Sequence, residues 1–509
     1  MRRRILLGGA GQASGNHGTG TANDPFLIYT PEDLLLVESF LTPTDQDGTA
    51  VYPTGDYYGV AINERFVGQY LKVVNDLDLS AVCGASIGNF PAGHSFGGDF
   101  DGDGHTISYL YSVTTNTTAP TAYSTANKGG LFYSLSSNCG ARVHHVVFEN
   151  FNIRAYYGGF IGACWGSATI DHIVLRNGSF YNNFRGGGIL GYASHSDVLV
   201  EDCVCEDSVT FNVGPQNYCD CGAIVGWLRG GKVKRCINLA DIEGNRYHIG
   251  GIVGGSIANS GSYDTLVSGC INFGKIRSTA TLSGCIAGNI DKGALRYNLN
   301  CGWLNSVKEC SGILGYKSQQ TCYVDGNLNI GMIDPYSSTS SVGPISSYGS
   351  TTRRYNYHTP EVSVVAQDVA GQIVSISQSD LVCQTDDTRP SSITDTTYWN
   401  TANWVFKAGF YPYPKDVENT DACLCAAVPV VFASGDTFKA ISGDVELGGV
   451  AGYEEGITWS SSDDSIMRID IVTSNGESRY VGKKLGTGSV TITNWKNGKA
   501  YKRITLTLV

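Results

Sequence analysis

Three groups of residues in this 509-residue chain have the types and spacing to do chemistry. The acidic pairs Glu201-Asp202 and Glu206-Asp207 are of the type that glycan-cleaving enzymes use when two carboxylates project from one strand face. Adjacent strand residues point to opposite sides, so each pair supplies at most one outward carboxylate, and solvated edge charges are expected. In DFDGDG, Asp99, Asp101 and Asp103 are spaced as at the start of a calcium loop, with Gly104 at the sixth place. The twelfth place is Leu110 where a bidentate Glu is required, so an EF-hand is excluded. A turn whose aspartates bond local backbone is the default; no metal is expected, and these three aspartates are the candidates should one bind. The third group is aromatic. Tyr192, Trp227 and Tyr316 each follow the second glycine of a recurring motif, and Trp165 lies close to the same place. Rings lined up on one side of a solenoid could stack on sugars, or could cover a corner of the core.

Other chemistry is missing from the sequence. The nine histidines form no H-E-x-x-H, the zinc-peptidase pattern. There is neither a G-x-S-x-G elbow nor a phosphate loop, so the chain is expected not to be an enzyme and to need no cofactor. Sixteen cysteines would ordinarily indicate disulfides in an extracellular protein. Cys203/Cys205, Cys219/Cys221 and Cys423/Cys425 have one residue between them, not the two or more of zinc knuckles. Several others recur at equivalent places in a repeat, where a thiol acts as a small apolar group. Free thiols imply assembly in a reducing compartment.

Composition sets the elements that would position these residues. Glycine (65) and tyrosine (29) are abundant, methionine (3) and proline (14) sparse, a bias toward strands and turns. The net charge of −11 is spread thinly, without the clustered positive charge of a nucleic-acid groove. No stretch approaches the roughly 20 apolar residues of a membrane span. The opening MRRRILL imitates a secretory signal, but its apolar run ends at Leu7, short of the ~7–15 residues of an h-region. Residues 1–17 are therefore read as an arm in which Arg2, Arg3 and Arg4 meet an acidic partner surface while Ile5, Leu6 and Leu7 are buried against another chain.

A repeat organises the middle of the chain. GGFIG ends at Gly162, GGILG at Gly191, AIVG at Gly226, GGIVG at Gly254, GCIAG at Gly288 and SGILG at Gly315, with GGLFY as a variant ending at Tyr133. The steps are 29, 29, 35, 28, 34 and 27 residues, a solenoid period. A second element keeps pace: Val143/Val146, Ile170/Ile173, Val200/Cys203, Val233/Cys236 and Val267/Cys270, with Val307/Cys310 next in line. Short strands at this period with no intervening helix predict a parallel β-helix whose coils stack like residues about 4.8 Å apart. Thr30, Pro31 and Asp33 precede an apolar run and predict a short capping helix.

The Gly-apolar-apolar-Gly pattern resembles the GLUG repeat of bacterial surface proteins and of the non-catalytic parts of immunoglobulin A peptidases. GTGTANDPFLIYTPEDL (residues 18–34) and FGGDFDGDGHTISYL (residues 96–110) look like that family's opening segments, and WVFKAGFYPYP (residues 404–414) is similar to its closing coil. Residues 428–509, with the Trp459 strand and the turn before Val490-Thr491-Ile492, resemble a bacterial immunoglobulin-like domain of group two. The expected architecture is all-β. Residues 1–17 form an arm, 18–95 the cap and first coils, and 96–420 the parallel β-helix with an irregular insertion at about 335–400. A small immunoglobulin-like β-sandwich follows over 428–509. The expected function is a structural or receptor-binding component of a bacteriophage particle, a fibre, spike or decoration that recognises a host surface protein or glycan. It would be a homo-oligomer, a trimer by analogy with phage spikes, joined to other virion proteins through its arm. The alternative is a GLUG-type bacterial cell-surface adhesin, and the third a glycan-cleaving enzyme.

Overall fold

In ATIDHIVLR (Ala168–Arg176) the residues that bury their side chains are Ala168, Ile170, Ile173 and Leu175, together with the acid Asp171. Period-two alternation thus slips by one residue between Ile170 and Ile173. The reason is backbone conformation: His172 has φ 53°, a left-handed corner that spends one extra residue without changing the buried face. The same corner recurs at His145, Asp202, Arg235, Gly269, Tyr297, Gly326 and Tyr355. It is the physical content of the Val-x-x-apolar motif: two strand segments bent around one outward residue.

The computed structural model describes residues 17–41, 56–82, 95–113, 128–135, 140–213, 220–244, 248–256, 264–279, 282–306, 309–316, 321–331, 333–335, 342–346, 352–359, 372–381, 383–407, 411–417, 445–450, 457–474, 477–496 and 499–508. The bent strands stack in parallel as the first sheet, of 20 strands. Val143, Ile170, Val200, Val233 and Val267 are consecutive register partners, all fully buried, and the column continues through Leu295 and Val324. Each coil then enters a third-sheet strand such as Ser179–Gly187, turns at a glycine, and forms a short second-sheet strand such as Leu190–Ala193. Three parallel sheets around one apolar core make the expected parallel β-helix. Val307 lies outside the described residues, and Cys310 belongs to the third sheet, paired with Ser283 and Val342. It does not extend the cysteine column, because the glycine motif beside it already commits that stretch to the corner.

The glycines are required by close approach. A Cβ at Gly226 would lie 2.6 Å from the carbonyl oxygen of Gly191, one at Gly254 2.5 Å from that of Gly226, and one at Gly288 2.5 Å from that of Gly254. Those contacts run along the second sheet; across to the third sheet the same Cβ positions would lie 2.6 Å from the Gly186 carbonyl carbon, 2.5 Å from the Cys221 amide nitrogen and 2.6 Å from that of Ile249. The two sheets therefore meet backbone to backbone along one corner, which no side chain could share.

Polar ladders run through the interior. Asn238 Nδ2 donates to Asn272 Oδ1 (2.8 Å), Asn272 to Asn300 (3.0 Å) and Asn300 to Asn329 (2.8 Å). A second ladder joins Asn298, Asn327 and Asn356. Stacked amides satisfy one another at the coil spacing, so these fully buried polar groups carry little desolvation penalty. Cys203, Cys236 and Cys270 are buried free thiols one place before the Asn298 ladder in the same column, and the Cys270 amide donates to Asn298 Oδ1 at 3.0 Å. Burial pushes the thiols of Cys203 and Cys270 up.

At the N-terminal end, helix α1 (Pro31–Leu41) turns Leu34, Val37 and Leu41 onto the core. Thr30 Oγ1 accepts from the Asp33 amide while Asp33 Oδ2 accepts from the amides of Tyr29 and Thr30, a reciprocal cap of the kind expected. At the other end the ladders run on through Thr352–Arg354, Asn356–His358 and Ile373–Ser375. Within 404–414, Trp404–Val405 pairs antiparallel with Tyr413–Pro414. The described residues between 376 and 417 lie against the outer face of the first sheet, where Ile376, Leu381, Trp399, Trp404 and Phe406 cover outward Ile237, Ile271, Leu299 and Leu328. The apolar residues on both faces of those strands leave this segment nowhere else to bury. Farther on, Val445–Val450, Met467–Ser474 and Glu477–Lys484 form one three-stranded antiparallel sheet, and Ile457–Ser461, Gly488–Lys496 and Lys499–Leu508 another.

Asn300→Ala removes the ladder bonds to Asn272 Nδ2 and Asn329 Oδ1 in the interior, leaving Asn272 Nδ2 only the Gly274 carbonyl and Asn329 Oδ1 only the Gly331 amide. The expected cost is about 3 kcal/mol of unfolding free energy, read by denaturant titration; a loss below about 0.5 kcal/mol would show that the ladder does not hold the coils.

Candidate functional site

The left-handed corners place a column of side chains along one edge of the solenoid: His145, His172, Asp202, Arg235, Tyr297 and Tyr355, none of them buried. Because each corner rotates its residue toward the preceding outward one, neighbours in sequence act together. Arg235 Nη2 donates to Glu201 Oε2 at 2.7 Å and to Asp202 Oδ2 at 2.6 Å. This corrects the expectation that only one carboxylate of the pair faces outward: the φ of 54° at Asp202 removes the strand alternation on which that expectation rested. Both carboxylates are engaged with arginine and so do not form an acid/base couple.

One and two coils toward the N-terminus, the same edge gathers histidines and aspartates. Arg142 holds Asp171 with two hydrogen bonds, 3.0 and 2.9 Å, and Asp171 also meets His172 Nδ1 at 2.8 Å. Burial raises the Asp171 pKa, yet Arg142 and His172 outweigh it and hold the carboxyl below the ordinary range. The three aspartates of DFDGDG separate. Asp99 Oδ1 lies 2.9 Å from His144 Nε2, and Asp103 pairs with Lys72 at 2.9 Å. Asp101 Oδ1 accepts from the Asp103 amide at 2.9 Å, the local turn expected, and also lies 3.4 Å from His144 Nδ1 and 3.5 Å from His145 Nδ1. In the sequence His144 and His145 carry no motif beyond abutting each other in a strand.

Of the four aromatics singled out from the sequence, three come together. Tyr192 stacks on Trp227 with centroids 5.1 Å apart and planes 6° apart, and Trp165 packs on Tyr192 at 5.2 Å. Arg185 lies over Trp227 at 4.1 Å and bonds Asp220, which also meets His248. Tyr192 and Trp227 are 5% and 4% exposed, so their faces are used on each other and on Arg185. Tyr316 lies farther along the column, beyond Gly255 and Asn289. Arg2, Arg3, Arg4, Ile5, Leu6 and Leu7 lie outside the described residues.

An open aromatic surface occurs elsewhere on the edge. Tyr297 and Tyr355 are two coils apart with Gly326 between them at the same corner. A Cβ on Gly326 would come within 2.7 Å of the Tyr398 Cβ, so the glycine makes room for Tyr398, which arrives from the returning segment. The result is a row of rings, Tyr297–Tyr398 at 6.2 Å and Tyr398–Tyr355 at 5.7 Å. Arg354, fixed by two bonds to buried Asp325, sits 5.3 Å from the Tyr323 ring and 5.5 Å from that of Tyr398. Tyr355 and Tyr323 are 46% and 38% exposed. The 58-residue spacing of Tyr297 and Tyr355 is visible in the sequence; the insertion of Tyr398 is not.

No protein-family model and no curated protein matches the sequence. Among solved structures the chain is similar to "a putative immunoglobulin A1 protease from Bacteroides ovatus", with 16% identity over 78% of this chain and 94% of that one and a TM-score of 0.36. That description corrects the expectation that the chain is not an enzyme. At this TM-score the likeness places no catalytic residue in the present chain.

Asp171 offers a pH test. A carboxyl held below its unfolded value stabilises the fold above about pH 4 and loses that contribution as pH falls through its folded value. Arg142→Gln is expected to cost about 1 kcal/mol at pH 7, the half-exposed arginine being screened. The gap from the native chain should close below about pH 4, as followed by melting temperature; a pH-independent gap would contradict the pairing.

Proposed function

We propose that this β-helix protein is a recognition scaffold that binds surface saccharides along the Tyr297–Tyr398–Tyr355 row, as a structural, receptor-binding component of a phage particle. The observation that carries the reading is that row. Three rings in line, the exposed Tyr355 and half-buried Tyr297 from the ladder corners and half-buried Tyr398 seated by a glycine, lie beside an arginine fixed from below by buried Asp325. Sugars present apolar ring faces and hydroxyls together, which such a surface matches. The covered faces of Tyr192 and Trp227 make them support for the corner in this reading. Attachment to other particle proteins through Arg2–Leu7, and a trimeric state, belong to the same proposal.

The thiols favour particle over adhesin. Described cysteines are free, including the stacked Cys203, Cys236 and Cys270, which suits assembly in a reducing cytoplasm. A GLUG-type adhesin exported to a bacterial surface remains the second reading, and its cysteines would meet an oxidising environment.

Two measurements test this. Against a panel of bacterial surface polysaccharides, Tyr355→Ala should weaken binding about tenfold, or 1.4 kcal/mol, while Trp227→Phe leaves it unchanged; equal binding by native chain and Tyr355→Ala would dismiss the row as the site. Thiol titration of protein from native material should find mostly free cysteines, and mostly disulfides would favour the adhesin.

A further inference from the structure

We propose that Asp101, His144 and His145 form a binding site for a divalent transition metal of the zinc class, with an open coordination position facing solvent. The three donor atoms, Asp101 Oδ1, His144 Nδ1 and His145 Nδ1, form a triangle with edges of 2.7, 3.4 and 3.5 Å. A point equidistant from all three lies about 1.9 Å from each. An ion at the usual 2.0–2.2 Å from imidazole nitrogen and carboxylate oxygen therefore sits just outside that plane, on the pyramid expected of three ligands in a tetrahedral set. Widening the 2.7 Å Nδ1–Nδ1 edge toward roughly 3.3 Å would bring the two imidazoles to tetrahedral angles, and the three residues are the only group of this kind among the described residues.

The fold builds this geometry in two steps. Asp101 (strand Asp99–Asp101) and His144 (strand Ala141–Glu149) are register partners on adjacent strands of the first sheet. Consecutive strand residues ordinarily face opposite ways, which would send His145 to the other side. Its φ of 52° turns the ring back, so both imidazoles present Nδ1 to the same point. The Cα positions are set by backbone ladders and the corner, not by a loop.

The surroundings complete the site. His144 Nε2 donates to Asp99 Oδ1 at 2.9 Å; this fixes the tautomer in which Nδ1 carries the lone pair, the outer-shell carboxylate found behind most metal-binding histidines. His144 is buried, its side chain 8% exposed, whereas the His145 side chain is 45% exposed, which gives an entry path and leaves the fourth position to water or an anionic ligand. His172 stacks on the His145 ring at 4.6 Å and limits its rotation. Lys72 engages Asp103, which removes that carboxylate from the ligand set and counters the local negative charge. Two imidazoles and one carboxylate favour zinc, cobalt or nickel over calcium, so the DFDGDG stretch contributes a ligand, but not to a calcium loop.

The test is a Co²⁺ titration of the full chain after treatment with a chelator and a thiol-blocking reagent, followed by the visible ligand-field bands of low-coordinate cobalt. His145→Gly is the decisive variant, since glycine already occupies the equivalent corner at Gly269 and Gly326 and removes the ligand without straining the backbone. The native chain should show one saturable cobalt site that Zn²⁺ displaces, absent from His145→Gly. Asp99→Asn should weaken it by about 10- to 100-fold, and Asp103→Asn should leave it in place. Identical titrations of native chain and His145→Gly, with both folded by circular dichroism, would overturn the proposal and leave His144 and His145 as a hydrogen-bonded pair only.

Discussion

The whole solenoid depends on the glycine corner where the second and third sheets meet. Parallel coils stack only if every turn returns to the same register, and here the return is made by backbone running against backbone, with carbonyl oxygens of one coil occupying the space a Cβ would take on the next. The contact repeats from Gly162 to Gly315 and fixes both the distance between the sheets and the phase of each coil. Inward residues then form columns, because identical positions recur at the strand spacing of about 4.8 Å. The valine column, the thiols and the amide ladders all follow from that phase.

A second constraint decides what the outside can do. The left-handed corner in each first-sheet strand inserts one residue that belongs to neither alternation, so its side chain comes out beside its predecessor. Glu201 and Asp202 consequently share Arg235, His144 and His145 bring two ring nitrogens to 2.7 Å, and Tyr297 and Tyr355 stand in line with a gap at Gly326. Such a conformation is costly for residues other than glycine, and the hydrogen-bonded ladder on both sides holds it. One architectural device thus generates an ion-pair cluster, an Asp-His-His group and an aromatic row at successive levels of the same edge.

The returning segment, residues 376–417, adds a third contribution. Outward Ile237, Ile271, Leu299 and Leu328 make the middle strands apolar on both faces, and the stacked pair Trp399 and Trp404, 4.2 Å apart, covers them. Trp399 Nε1 bonds the Tyr355 carbonyl at 2.7 Å, which ties that cover to the corner column and carries Tyr398 into the tyrosine row. The contact that packs the returning segment thus also completes the row of rings.

Periodicity by itself determined the coils. The 27–35-residue spacing of Gly-apolar-apolar-Gly and of Val-x-x-apolar reflects backbone contacts between equivalent positions, so a one-dimensional pattern carries the three-dimensional stack, including the inward column from Val143 to Val267 and the Thr30–Asp33 cap. The asparagines were also present at that period, as Asn238, Asn272, Asn300 and Asn329, but asparagine suits a turn as well as a ladder and only burial separates the two. What tertiary structure alone decided was direction and company. The sign of φ at His145 and Asp202 turns neighbouring side chains to one side, and it is set by the ladders on either side of the corner, which no local propensity for His or Asp reveals. The seating of Tyr398 at Gly326 joins positions 72 residues apart outside any repeat, and the burial of Tyr192 and Trp227 depends on Arg185 from another sheet. Side-chain chemistry was legible wherever it obeyed the period; the sites arise where non-periodic contacts are added to it.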